Sequence, residues 1–330
     1  MSKILISGAT GFVGGHLIER LKSISKDQII GLFHESVPLD SYNIAGAAIH
    51  WIHKDIVVDD LEDVLNGIDL VFHLAGYSSV FQDQDTCTLL NNVNVLGTRR
   101  IAEAALRQRV SHFVFVSSIA AGEFSNDLVI KESNGMPVSL YGKSKRAAEE
   151  ALLELSSRGL PVTILRPTAL FGENHLGSVY ELVRVIKKNR FILIGTGENR
   201  TNFYYVKDFV NDLIAVALNS KFQGKVFLAS DTPIALRNLV EKIKKLLMIR
   251  KKTRSIPICI GRLLGRSGDV LSQLTQRSFS LSLRRVNAMT NDVIYSSERL
   301  RTEFNVPISY GLNLGLKNTI DWYKENGFLE

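Results

Sequence analysis

The segment Lys3-Ile-Leu-Ile-Ser7 runs directly into Gly8-Ala-Thr10-Gly11-Phe12-Val13-Gly14. A short apolar strand, three glycines at three-residue spacing and a helical pattern over Phe12–Leu21 permit few folds. Gly8 lets the chain turn tightly at the strand end, Gly11 lets the backbone approach an anion, and Gly14 lets the helix pack close to the strand. The helix N-terminus then offers free N–H groups to a pyrophosphate. The spacing is GxxGxxG rather than GxGxxG, so the strand–turn–helix setting gives the match its weight.

The pattern continues in the same style. Short segments rich in Ile, Val, Leu and Phe lie at Lys3–Ser7, Gln28–Phe33, Ile49–His53, Leu70–His73, His112–Val116 and Pro161–Leu165. Helical periodicity separates them at Asp60–Leu65, Leu89–Leu106 and Leu140–Leu155. Continuous apolar strands between helices indicate a parallel sheet covered on both faces. The fold class is therefore α/β, a Rossmann-type doubly wound parallel sheet. After Arg166-Pro167 the pattern loosens. Helices fit Val179–Lys188, Leu236–Leu247 and Leu314–Asn326, and residues 250–295 are polar, basic and poorly periodic. Phe203–Val206 and a helix near Lys207–Leu218 are expected to rejoin the sheet. This predicts a dinucleotide-binding domain over 1–170, rejoined by about 202–229. A smaller, discontinuous C-terminal α/β substrate lobe is expected from 171–201 and 230–330.

Composition excludes several classes. With 330 residues, 45% hydrophobic and 22% charged, the chain is long enough for a real core. No apolar run approaches the ~20 residues of a membrane span, so no integral membrane association is expected. The first apolar stretch is too short for a secretory signal. Cys87 and Cys259 are the only cysteines and have no metal or redox spacing, which points to a reducing cytoplasm. No metal is expected. The net charge of +7 has its densest source between Arg250 and Arg285, where nine Lys or Arg face one acid, Asp269. Aromatic side chains are not interleaved there as a nucleic-acid platform requires, so no nucleic-acid partner is expected.

Chemistry is carried by Tyr141-Gly-Lys-Ser-Lys145. Four-residue spacing puts the phenol and the ammonium on one helix face. A nearby fixed cation favours phenolate and is expected to lower the phenol's pKa from about 10. Such a tyrosine exchanges a proton with a carbonyl or an alcohol. With the glycine loop, this reads as hydride transfer at a carbinol carbon. The second strand ends Gly31-Leu32-Phe33-His34-Glu35. An acid at the strand tip would hold the ribose hydroxyls of NAD and repel a 2′-phosphate. His34 occupies the tip here, which leans toward NADP over NAD.

Taken together, these motifs resemble the extended short-chain dehydrogenases/reductases of the NAD(P)-dependent epimerase/dehydratase family. The resemblance runs in order along nearly the whole chain. Lys54-Asp55-Ile56 resembles the adenine-contacting segment, and His73-Leu74-Ala75-Gly76 the end of the fourth strand. Asn94-Val-Leu-Gly-Thr98, Phe113-Val-Phe-Val-Ser117-Ser118, Leu165-Arg166-Pro167-Thr168 and Phe203-Tyr-Tyr-Val-Lys-Asp208 follow, with Ile320-Asp-Trp-Tyr323 in the closing helix. The resemblance implies that Ser118 bonds the reacting oxygen, with Ser117 its nearest rival. It makes Tyr141 the proton donor or acceptor and Lys145 the holder of the nicotinamide ribose, with Asn94 ordering water and backbone near Lys145. Cofactor contacts are implied for Gly8, Thr10, Gly11, Phe12, Val13, Gly14, His34, Asp55, Ile56, Leu74, Ala75, Gly76, Tyr141, Lys145, Pro167 and Thr168. A homodimer through the Leu89–Leu106 and Leu140–Leu155 helices is also implied.

Substrate is a finer matter, since fold does not choose it. Arg200, in Gly-Thr-Gly-Glu-Asn-Arg-Thr-Asn, resembles a residue of the nucleotide-sugar members, and its planar fork suits a diphosphate. Asn174, after Phe171-Gly172-Glu173, resembles their substrate loop, and Arg284 or Arg285 offers a second clamp. Nucleotide-sugar 4,6-dehydratases carry an acidic pair just after the serine, whereas Ile119-Ala120-Ala121 stands here with no carboxylate before Glu123. The resemblance therefore implies a 4-keto-sugar reductase or a 4-epimerase acting on a nucleotide-diphosphate sugar, in surface-polysaccharide synthesis. A ketone reductase of the 3β-hydroxysteroid or dihydroflavonol type is the alternative, disfavoured by the basic C-terminal lobe. A cofactor-sensing regulator would not need both Tyr141 and Lys145.

Overall fold

Five of the apolar runs form strands at the residues expected: β1 (Lys3–Ser7), β2 (Gln28–Phe33), β3 (Ile49–His53), β4 (Leu70–His73) and β5 (His112–Val116). The computed structural model describes residues 2–34, 49–78, 83–122, 129–132, 135–219, 224–275 and 283–330, with the side chains of 270–275, 284, 285 and 288 set aside. Glu35 and Glu123 lie outside the described residues. Strands Val162–Pro167 and Lys225–Ala229 complete a seven-stranded, all-parallel sheet. Its order is 225–229, 162–167, β5, β4, β1, β2, β3. The order reverses between β1 and β4, and ligands of doubly wound sheets bind outside the strand ends at that point.

Alternation along each strand divides the core. Leu5, Val71, Phe113 and Phe115 join one apolar cluster with Leu61, Val64 and Leu65, with Ile101 and Ala105 from α4 (Thr98–Arg107), and with Ala148 and Leu152 from α5 (Leu140–Ser157). Leu61 precedes and Val64 and Leu65 lie in a short helix, α2 (Glu62–Leu65). Ile4, Ile6, Phe72 and Val114 point to the other face and are equally buried. There α1 (Phe12–Ile24) packs with the helix Val206–Ala217. Burying a Leu, Ile or Phe is worth about 1.5–3 kcal/mol each, so this two-sided core sets the strand register.

Three local expectations differ from the structure. Leu89–Leu106 is not one α-helix. It comprises the end of α3 (Gln84–Leu89), a π-helical stretch over Leu90–Gly97, and α4. π-Helical turns shift the following face by one residue and concentrate at functional sites. Phe203–Tyr205 does not rejoin the main sheet. It pairs in parallel with Ala169–Phe171, and Lys225–Ala229 takes the sheet position. The stretch expected to lack periodicity contains an 18-residue helix, Ile258–Thr275.

The chain divides into two compact units. The first takes Met1–Thr168, Val206–Ser230 and Ser296–Ser309. The helix Glu298–Phe304 belongs to it and covers the Lys225–Ala229 strand, with Phe304 set edge-on to Phe227 and Arg301 paired with Asp212. The second takes Ala169–Tyr205, Asp231–Tyr295 and Tyr310–Glu330. In it the helix Gly311–Glu325 lies against Phe203–Tyr205, where Gly315 accommodates the ring of Tyr205.

Candidate active site

Gly8 adopts φ +69°, and a Cβ there would stand 2.7 Å from the backbone nitrogen of Ala75. Only glycine lets β1 turn against the end of β4 at this distance. Gly14 has the same constraint, since its Cβ would lie 2.4 Å from the Gly8 carbonyl oxygen. The result is an open helix N-terminus at the switch point. Beside it lies a cavity of about 530 Å³, lined by Gly8, Thr10 and Gly11, by His34, Asp55 and Ile56, and by Leu74, Ala75 and Gly76. Nine of the residues expected to contact a cofactor thus share one cavity. Phe12, Val13 and Gly14 form the first helical turn beside it. At the strand tip His34 Nε2 lies 3.3 Å from Asp55 Oδ2.

The reacting groups come from β5, α5 and the π-helical stretch. Ser139 caps α5, its hydroxyl accepting from Gly142 N at 3.0 Å. A Cβ on Gly142 would meet the Ala120 carbonyl oxygen at 2.2 Å, so this glycine lets α5 start against the turn that follows Ser118. Tyr141, one residue earlier, is thereby brought beside the Ser118 hydroxyl, which favours its phenolate. Ser118 is only partly buried. The Ser117 hydroxyl is buried and donates to Glu149 Oε1 at 2.5 Å.

Lys145 is buried one turn further along α5. Its Nζ donates to the Val116 carbonyl oxygen at 3.1 Å and sits 4.8 Å from the centre of the Phe115 ring. A Cβ on Gly76 would come within 3.1 Å of this ammonium and 3.2 Å of Asn94 Oδ1, so Gly76 keeps the space beside both open. Asn94 is fully engaged. Its Oδ1 accepts from Tyr77 N at 2.7 Å, and its Nδ2 donates to Tyr77 O and to Ser144 Oγ, both at 2.9 Å. Asn94 therefore ties the chain after β4 to α5. The π-helical register is what aims it there.

The electrostatics correct one expectation. The Tyr141 phenol is raised above its ordinary value, because burial penalises phenolate more than the Ser118 hydrogen bond favours it. Burial lowers Lys145 to about 8, against the attraction of the Glu149 carboxylate. His73 is held neutral, with a pKa of about 3 from burial and from the Lys145 charge. Its ring bridges Ser7 Oγ at 2.6 Å and Thr98 Oγ1 at 2.8 Å.

Sequence reasoning missed the pair behind these groups. Arg166 Nε and Nη2 donate to Glu149 Oε1 and Oε2 at 2.7 and 2.5 Å, and both residues are about 1% exposed. Glu149 stands four residues after Lys145 and eight after Tyr141, on the same helix face. An acid on the buried face of α5 opposite an arginine in a buried strand was the available signal. Pro167 and Thr168 end that strand, and the buried Thr168 hydroxyl has no hydrogen-bond partner among the described residues.

Of the expected substrate residues, Ser118 belongs to the first unit and Asn174, Arg200, Arg284 and Arg285 to the second. Asn174 is exposed with φ +63°. Arg200 is half-exposed, and Asp292 accepts from its Nη2 at 3.1 Å and from its backbone nitrogen at 2.6 Å. Arg284 and Arg285 fall in the short helix Leu283–Ala288, and their side chains lie outside the described residues.

Comparison with known proteins bears on the family and the fold. The family model for the NAD dependent epimerase/dehydratase family matches residues 4–229. The N-acetyl-alpha-D-glucosaminyl-diphospho-ditrans,octacis-undecaprenol 4-epimerase of Escherichia coli O157:H7 is 28% identical, over 97% of this chain and 94% of that protein. The UDP-glucose 4-epimerase of Vibrio cholerae is 27% identical over 82% of this chain and 85% of its own. Among solved structures, UDP-glucuronic acid 4-epimerase from Bacillus cereus in complex with NAD shares the fold, with a TM-score of 0.76 at 20% identity, covering 98% of this chain and 99% of that one. With its seven-stranded parallel sheet, its glycine turn and the Tyr141–Lys145 helix, this chain belongs to the NAD dependent epimerase/dehydratase family of enzymes.

Proposed function

We propose that the protein is a sugar 4-epimerase that retains NAD and acts at C4 of a hexose carried on a diphosphate, as in a nucleotide-diphosphate sugar. The start of α5, seated by Gly142 on the turn after Ser118 so that Tyr141 lies beside that serine and the buried Lys145 ammonium lies one turn on, carries this reading. NAD supplies the hydride acceptor and donor when bound. The glycine turn fits its pyrophosphate, Asp55 and Ile56 fit the adenosine, and the unpartnered Thr168 hydroxyl and the Lys145 ammonium fit the other end. Tyr141 takes the proton of the C4 hydroxyl and returns it. Ser118 holds the same oxygen by a hydrogen bond, and Lys145 offsets the charge that Tyr141 gains. The turn Ile119–Gly122 after Ser118 carries no carboxylate, which disfavours dehydration.

The lean toward NADP that His34 gave in the sequence is reversed in this reading, and NAD is favoured, as it is bound in the solved structure from Bacillus cereus. His34 faces Asp55 at the strand tip, and Lys54, which also lines the cavity, is held by Asp63 at 3.2 Å and by the Asp60 carbonyl at 2.9 Å. Both curated relatives described above are named 4-epimerases, which favours epimerase over NADPH-consuming reductase. The expected result is that NAD co-purifies with the protein and that UDP-glucose or UDP-N-acetylglucosamine is converted to its C4 epimer without net cofactor consumption. Stoichiometric oxidation of NADPH by a 4-keto-sugar would establish the reductase instead.

A second reading concerns the diphosphate ester. In the relative from Escherichia coli O157:H7 the diphosphate joins the sugar to undecaprenol rather than to a nucleoside. The C4 chemistry is unchanged, and assay with both ester types separates the two. Substrate recognition is assigned to the second unit, through Asn174, Arg200 and Arg284 or Arg285. The same reading includes a cytoplasmic homodimer serving polysaccharide synthesis. The homodimer part is supported by Leu96, 46% exposed on one of the elements expected to pair.

Lys145 also sets a pH limit. Its ammonium is the working form and is lost as pH rises through about 8. The free-enzyme profile of kcat/KM should therefore fall about tenfold per pH unit above that value. A profile flat to pH 10 would remove the Lys145 charge from the mechanism.

A further inference from the structure

The helix Ile258–Thr275 is amphipathic in the wrong sense for a core helix. Over Ile258–Asp269, where its side chains are described, the buried residues are glycines. Gly261 and Gly265 are buried one turn apart, and a Cβ would stand 2.4 Å from Ile194 Cγ2 at the first and 3.0 Å from Val286 Cγ2 at the second. These glycines seat the helix close on its support and fix which side faces out. On the outward side Ile260, Leu263 and Leu264, at i, i+3 and i+4, are 44%, 66% and 47% exposed. Met248, on the approach to the helix, is 89% exposed.

Charge accompanies this apolar stripe. Arg262 and Arg266 are exposed beside it, and Arg250, Lys251, Lys252 and Arg254 are exposed just before it. From Met248 to Gly268 there is no Asp or Glu and no aromatic residue. Asp269, the next acid, is engaged by the Leu283 backbone nitrogen at 3.0 Å. Exposed leucine and isoleucine flanked by one sign of charge is the pattern of a helix lying in a lipid interface. No described helix is long and apolar enough to cross a membrane.

We propose that this face is a peripheral docking surface for an anionic lipid bilayer. Ile260, Leu263 and Leu264 enter the boundary between headgroups and acyl chains. Arg262, Arg266 and the 250–254 cluster meet lipid phosphates. Charge complementarity selects this occupant. A second copy related by a two-fold axis would bring like charges together. Nucleic acid would leave the apolar stripe without a partner and offers no use for a face lacking aromatic side chains.

The test is co-sedimentation of the full-length protein with phosphatidylglycerol-containing vesicles and with pure phosphatidylcholine vesicles. The expected result is binding to the anionic vesicles only, released by raising the salt. Leu263→Ser/Leu264→Ser and, separately, Arg262→Gln/Arg266→Gln should each reduce the bound fraction at limiting lipid by roughly tenfold. Both variants should keep the wild-type melting temperature within a few degrees, since these side chains are exposed. Equal binding to both vesicle types, no binding, or binding unchanged by both pairs of substitutions overturns the proposal. So does loss of self-association by the leucine variant with vesicle binding unchanged, which would assign the face to a second copy.

Discussion

Tyr141→Phe lowers kcat by about three orders of magnitude while NAD affinity stays within about twofold. General acid–base groups contribute about 10²–10⁴ in rate, and the substitution removes only the phenolic oxygen. The ring keeps its place because Ser139, Gly142 and the turn after Ser118 fix the start of α5. Pre-steady-state reduction of bound NAD by the sugar, read at the nicotinamide absorbance, separates chemistry from binding. Ser118→Ala should cost less, since it removes one hydrogen bond to the reacting oxygen and leaves the proton carrier in place. A Tyr141→Phe protein that fails to bind NAD would mark the tyrosine as structural.

The second large effect is at the buried pair. Glu149→Ala leaves the Arg166 guanidinium uncompensated at 1% exposure, and breaking such a pair costs about 3–5 kcal/mol. Replacing both partners is different. Glu149→Leu/Arg166→Met removes both charges and should return most of the lost stability, as measured by the denaturant midpoint. Function should not return with it. Glu149 attracts the Lys145 proton and partly offsets the effect of burial. Without that carboxylate the Lys145 pKa falls from about 8, so the alkaline limb of kcat/KM should move to lower pH in the double variant. A double variant with a wild-type pH profile would leave the pair a stability role alone.

Much of the first unit is legible in sequence because its signals are local. Continuous apolar runs mark β1 to β5, and the glycine turn and the Tyr141–Lys145 spacing are contained within single elements. What was not legible depends on tertiary context. The π-helical stretch over Leu90–Gly97 keeps an apolar pattern that an ordinary helix also satisfies, so the aim of Asn94 was hidden. Lys225–Ala229 and Phe203–Tyr205 are both short apolar strands, and only pairing distinguishes which joins the sheet. The helix Ile258–Thr275 escaped notice because Gly261 and Gly265, not leucines, are buried in its first half. Glu149 and Arg166 are ordinary charges in sequence, and their burial follows only when α5 lies over the Val162–Pro167 strand. Tyr141 was misjudged in one respect, since adjacency to a lysine was weighed without the cost of burial.

The most direct test is epimerisation in deuterium oxide, followed by mass analysis of the product sugar. In the proposed mechanism hydride leaves C4 and returns from the nicotinamide while Tyr141 handles only the hydroxyl proton. The C4 epimer should therefore form with its carbon-bound hydrogen retained and no deuterium at C4. Deuterium on C4 would mean that a base removes a carbon-bound proton, and would contradict the hydride relay built on Tyr141, Lys145 and Ser118.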